Sequence, residues 1–167
     1  EASASFYAEQ VPMYFTGSWM GGSIVTDAEK PDNFAVAPIP VVNSKNASVT
    51  DFMGGGSDTL MVSANTKNKD LAAAAAFEIT RGVSKHAYLS GAGIPAWTVD
   101  YDASSVPALT QQVADIAGKA TSYTLWFDTL MSSDDAGEYL TLLQSLFAGD
   151  LKPEEFAASM DKQLSKK

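Results

Sequence analysis

Residues 54–96 read GGGSDTLMVSANTKNKDLAAAAAFEITRGVSKHAYLSGAGIPA, and two different periods meet within them. Thr59-Leu60-Met61-Val62 is a short apolar run behind a triple glycine, the pattern of a strand. From Asp70 onward the period changes: Ala72, Ala76, Ile79 and Val83 fall at helical spacing, with Asp70 at the favourable amino end of the helix dipole. The spacing predicts a helix over 70–81. Gly82 is expected to break it, and Ser84 to cap a shorter helix through Tyr88. Residues 91–97, GAGIPAW, then form a Gly/Pro-rich connection.

Working outward, Val11, Met13 and Phe15 alternate with Pro12 and Tyr14, so this run reads as a strand delivering Gly17-Ser18-Trp19 at its end. Gly21 and Gly22 would then let the chain turn away behind the indole. Phe34 to Ile39 reads as another strand, closed by Pro38 and Pro40. Ser105 and Pro107 mark a helix start, with Leu109, Val113 and Ile116 on one face. Tyr123 to Met131 is rich in aromatics. Ala136, Tyr139, Leu140, Leu143 and Phe147 form an amphipathic stripe that Gly149 ends. Pro153-Glu154-Glu155 opens a last helix with Phe156, Met160 and Leu164 on its inner face. Strands early and helices later give an α/β arrangement with an incomplete sheet.

Composition narrows the function classes. The chain has 167 residues, 46% of them hydrophobic and 19% charged, which is ordinary globular material. A net charge of −9 repels a phosphate backbone, so nucleic acid is not the expected partner. No apolar run approaches the ~20 residues of a membrane helix. Cysteine is absent, which removes disulfide scaffolds and thiolate metal sites. Glu1-Ala2-Ser3-Ala4-Ser5 resembles neither a start site nor a targeting segment, so the chain is expected to be part of something longer.

Catalytic chemistry finds little to stand on. His86 is the single histidine, so every Ser-His system would rest on it, and no nucleophile motif lies beside it. Asp134-Asp135 is the most obvious carboxylate pair, but it follows Ser132-Ser133 ahead of a helical stripe, where capping and the helix dipole account for it. The triple glycine lacks the Lys-Ser/Thr of a phosphate loop. No metal and no cofactor is implied.

The aromatics say more. Trp19, Trp97 and Trp126 each lie at or near a loop. Sugar rings present flat C–H faces ringed by hydroxyls, which an aromatic face and a set of polar groups hold together. Gly55, Gly56 and Ser57 would let backbone N–H groups approach such hydroxyls closely. Tyr123 and Asp128 complete the candidate ligand-binding set.

The ordered motifs FYAEQVPMYFTGSW (6–19), FAVAPIPVV (34–42), residues 54–96 and LFAGDLKPEEFAASMDKQL (146–164) resemble an extracellular solute-binding protein of a carbohydrate ABC transporter, the maltose-binding-protein-like family. The resemblance covers the carboxyl-terminal portion of such a protein. It implies a periplasmic-binding-protein-like (type II) two-lobe α/β fold. Residues 1–52 and 104–167 would form the larger lobe and 58–100 a partial segment of the other, with hinges near 53–57 and 101–103. It further implies a carbohydrate ligand, stacking by Trp19 and Trp126, and a membrane permease as partner. The setting would be the extracellular face of the membrane or the periplasm, with a lipoprotein or signal segment ahead of Glu1. A solute-binding protein for a polyamine or peptide stays open, with Asp58 and Asp128 as contributors. So does a glycan-degrading enzyme or its carbohydrate module.

Overall fold

A computed structural model describes residues 2–56 and 58–165, and helices dominate it. They are α1 (Ala2–Tyr7), α2 (Met20–Asp27), α3 (Lys69–Leu89), α4 (Ala108–Ala117), α5 (Ser133–Ala148) and α6 (Pro153–Leu164). Two short strands, β1 (Asp51–Met53) and β2 (Ser122–Thr124), pair with each other. Thr121 donates its amide to the Thr50 carbonyl at one end, and Gly54 donates to Thr124 at the other, so the pair runs parallel. A parallel pair needs a long crossover, which α3 and α4 supply. This is α/β construction reduced to its smallest sheet.

The strands expected at 11–15, 34–39 and 59–62 do not form. A strand exists only when its row of N–H and C=O groups meets a partner row, and these segments meet none among the described residues. Met13, Phe15, Leu60 and Met61 are left exposed. Gly82 does not break its helix either. α3 runs unbroken for 21 residues, and Ser84 lies inside it, its hydroxyl accepting the Ala96 amide at 2.9 Å. One glycine costs a helix ~1 kcal/mol, too little to interrupt good helix formers on both sides.

Packing divides the chain into two units. The first holds residues 1–52 and 56–123, the second 53–55 and 124–167. In the first, Ile24, Ala28 and Leu109 are buried, with Phe6, Tyr7, Met20, Phe34 and Val36 packed around them. α2 lies close against α4, and two glycines permit it. A Cβ on Gly21 would meet the Thr110 hydroxyl, and one on Gly22 the Ser90 carbonyl. The Gly22 amide donates to the Gly91 carbonyl at 2.9 Å. These glycines therefore belong to a helix contact, not to the expected turn. In the second unit, α5 packs on α6, whose Met160 and Gln163 are buried.

Apolar side chains such as Leu71, Ile79 and Val83 along α3 stand exposed.

Candidate functional site

Trp126 opens the turn Phe127–Leu130 and leaves its indole 40% exposed. Beneath it runs the glycine step. Gly54 is buried at φ 113°, and a Cβ there would lie 3.4 Å from the indole nitrogen. Gly55, at φ 147°, sits beside Leu125. The Gly54 amide is spent on Thr124 at 2.9 Å. The Gly55 and Gly56 amides have no acceptor among the described residues. Asp128, half-buried, follows two positions after Trp126 on the same turn. The structure thus sets Gly54 beside Trp126 and Gly55 beside Leu125, with Asp128 two positions further along the same turn.

The remaining expected residues belong to the first unit, and each has its own setting. Trp19 precedes α2 and is 55% exposed, its six-membered ring lying over the Cα of Gly17. It does not plug a core. Trp97 is 42% exposed and meets Phe77 edge to face at 4.9 Å. Tyr123 is exposed, with its ring 6.1 Å from that of Phe52 and its hydroxyl donating to the Ala117 carbonyl at 3.4 Å. Gly56 is exposed, with nothing within 4 Å of where a Cβ would stand. Among the described residues no ring contact joins Trp19, Trp97 and Tyr123. Ser57 lies outside the described residues.

Sequence reading missed the companions of Trp97. A groove of about 260 Å³ lies there, lined by Arg81, Ser84, Lys85, Trp97, Asp100 and Tyr101 among others. Arg81 pairs with Asp100 at 3.1 Å, and the Lys85 ammonium stands 4.9 Å above the Tyr101 ring. Loss of hydration holds the Tyr101 hydroxyl above its usual range, helped by Tyr88 and Asp100. Phe77, Arg81 and Lys85 recur every four residues on α3, and that spacing was the available signal.

Two candidate chemistries resolve into local structure. Ser132 caps α5, its hydroxyl accepting the Asp135 amide at 3.3 Å and donating to the Asp135 carboxylate at 2.7 Å. His86 lies in the last turn of α3, where its carbonyl accepts the Ser90 amide. Among the described residues no three His, Cys, Asp or Glu side chains gather as metal ligands, and no helix is long and apolar enough to cross a membrane.

Residues 1–77 match the family described as bacterial extracellular solute-binding protein. A solved structure from work on xylan utilization by the thermophilic bacterium Caldanaerobius polysaccharolyticus shares the fold with a TM-score of 0.79 and 29% sequence identity. The match covers 97% of this chain and 42% of that one, so the chain spans less than half the length of its structural relative. No curated protein sequence matches significantly. The matched family binds solutes rather than transforming them, and it works in the periplasm or outside the bacterial cell membrane. A family match over residues 1–77 and a fold shared along nearly the whole length make this chain similar to a portion of a bacterial extracellular solute-binding protein, with an α/β fold like that of its solved relative.

Proposed function

We propose that the protein is the substrate-binding component of an ABC importer, capturing a sugar or oligosaccharide between two lobes and delivering it to the membrane permease. The observation carrying this reading is that Trp19, Trp97 and Trp126 all keep between 40% and 55% of their surface exposed. Burying an indole is worth several kcal/mol, so three left open call for an occupant. The structural relative comes from xylan utilization, which favours a plant-type glycan as the first probe. Trp19 and Trp126 serve as stacking platforms in this proposal, with main-chain donors at Gly55, Gly56 and Ser57. Trp97, Tyr123 and Asp128 add to them. Residues 1–52 and 104–167 form one lobe and 58–100 part of the other. Binding closes the lobes, and the closed form is what the permease recognises. An anchor ahead of Glu1 holds the protein at the membrane.

The test is a thermal-shift screen of the full-length protein against xylo-oligosaccharides, malto-oligosaccharides, spermidine and short peptides. A ligand at a hundred times its Kd adds ~2.7 kcal/mol of stability. A shift with oligosaccharides alone supports the proposal. A shift with spermidine or peptides alone would replace the ligand class.

A further inference from the structure

We propose that the groove beside Trp97 takes a sugar ring bearing a carboxylate, a uronic acid unit, with the carboxylate at Lys85 and ring hydroxyls toward Glu78 and Thr98. The proposal rests on the sugar-binding reading above, which it narrows at this groove to an acidic unit. The groove is built from one helix and the strip that folds back along it. Phe77, Arg81 and Lys85 recur every fourth residue on α3 and so share one side of it. The strip 96–101 is fastened alongside at two points. The Ala96 amide donates to the Ser84 hydroxyl oxygen at 2.9 Å, and Arg81 pairs with Asp100 at 3.1 Å. Trp97 crosses Phe77 at 78° with ring centroids 4.9 Å apart, a contact that leaves 42% of the residue exposed. The space enclosed is about 260 Å³. That is below the usual range for drug-sized ligands and suits a single ring.

Charge then selects the ring. Asp100 is engaged by Arg81, whereas Lys85 has no carboxylate within 4 Å among the described residues. Its ammonium stands 4.9 Å above the half-buried Tyr101 ring, a contact that orients the cation without neutralising it. Among the described residues nothing accepts the Tyr101 hydroxyl or the Trp97 indole N–H. Glu78, also in the lining, has no cation within 4 Å among the described residues. It lies seven positions before Lys85, about 10 Å along the helix axis. Two opposite charges thus stand apart along one groove, each without a protein partner. A carboxylate accepts from Lys85, while ring hydroxyls donate to Glu78 and meet the neighbouring Thr98. The C–H face of the ring suits the indole between them. A neutral sugar would leave the ammonium unmet, and an aromatic acid would leave Glu78 unmet.

Titration of the full-length protein with glucuronate, glucose and benzoate tests this. The readout is the indole N–H resonance of Trp97, identified by its loss in Trp97→Phe. Glucuronate is expected to move it saturably, and to bind about tenfold or more tightly than glucose or benzoate. Lys85→Met keeps the aliphatic stem and should leave the melting temperature as it is. It should weaken glucuronate about tenfold, the effect of one hydrogen bond to a charged group, and leave glucose unchanged. Glu78→Gln should weaken both sugars by a similar factor. Equal affinity for glucuronate and glucose would overturn the proposal, as would unchanged glucuronate affinity in Lys85→Met. Benzoate binding as tightly as glucuronate would overturn the choice of a sugar ring, and tighter glucuronate binding in Glu78→Gln would overturn the orientation. A Trp97 resonance unmoved by glucuronate, in a protein that oligosaccharides do stabilise, would overturn this site and leave the binding reading standing. A glucuronate response with the expected Lys85 dependence, in a protein that no oligosaccharide stabilises, would support the site and remove the importer reading instead.

Discussion

Gln163 on α6 donates its side-chain amide to the main-chain oxygen of Asp135 at 3.0 Å, and the same nitrogen lies 3.2 Å from the Asp135 carboxylate. Gln163 is only 4% exposed, so this link is made away from water. Asp135 is also the residue that the Ser132 cap engages. The start of α5 and the docking of α6 thus depend on one acidic residue. Gln163→Ala is expected to cost ~1–3 kcal/mol, because it removes a buried donor and its packing. Gln163→Met keeps the volume and should recover part of the loss. Urea midpoints of the full-length variants check this. Equal midpoints for Met and wild type would mean that the bond contributes nothing.

The contact of α2 with α4 predicts a severe response to small additions. Gly21→Ala drives a methyl group into the fully buried Thr110 and is expected to cost ~1–3 kcal/mol. Removing the opposing atoms in Gly21→Ala/Thr110→Ala should return much of it. Gly22→Ala has no such rescue, since the obstacle is the Ser90 main chain. Melting temperatures of wild type, Gly21→Ala, Thr110→Ala and the double variant decide, and additive single effects would contradict direct contact.

Trp19 separates folding from binding. A buried Trp→Ala change costs ~3–5 kcal/mol, but this ring is more than half exposed. Trp19→Ala should therefore leave the melting temperature nearly unchanged and weaken sugar affinity by roughly ten- to a hundredfold. Calorimetry with whichever oligosaccharide shifts the wild type measures both. A large stability loss with unchanged affinity would remove Trp19 from the proposed site.

Asp51 should make stability depend on pH in acid. The Ser48 amide, then the Ser122 hydroxyl and more weakly the Thr121 hydroxyl, hold its carboxyl below the usual carboxylate range, against an opposing effect of desolvation. A folded pKa below the unfolded value of ~3.9 means that the contribution is fully present above about pH 4. It is lost as pH falls through the folded value. Asp51→Asn should flatten the stability profile below about pH 4 and leave its slope near neutrality unchanged. Denaturation midpoints at stepped pH provide the check.

Gly82 predicts a gain. It lies inside α3 with nothing within 4 Å of a Cβ position. Gly82→Ala should stabilise the helix by ~0.5–1 kcal/mol. A loss in the full-length protein would show that another part of it fills this space.

Much of the local structure was legible because its causes lie within a few residues. Pro107 starts α4, Ser132 caps α5, Gly149 ends it at φ 82°, and Pro153 opens α6, all as their chemistry requires. The neutral explanation of Asp134-Asp135 was readable for the same reason. The strands were not, because apolar alternation describes a chain ready to pair, and the partner row is a property of other residues. Nor could the sequence tell a stacking Trp from a buried one, since a loop position suits both. How much of each ring other residues cover is a tertiary matter, and the described structure leaves Trp19, Trp97 and Trp126 each partly open. The meaning of Gly21 and Gly22 was likewise tertiary. Read alone they suggest a turn, but Thr110 and Ser90, far along the chain, approach them so closely that no side chain fits. Contacts between residues so distant in sequence arise only when helices pack, and no local pattern encodes the partner.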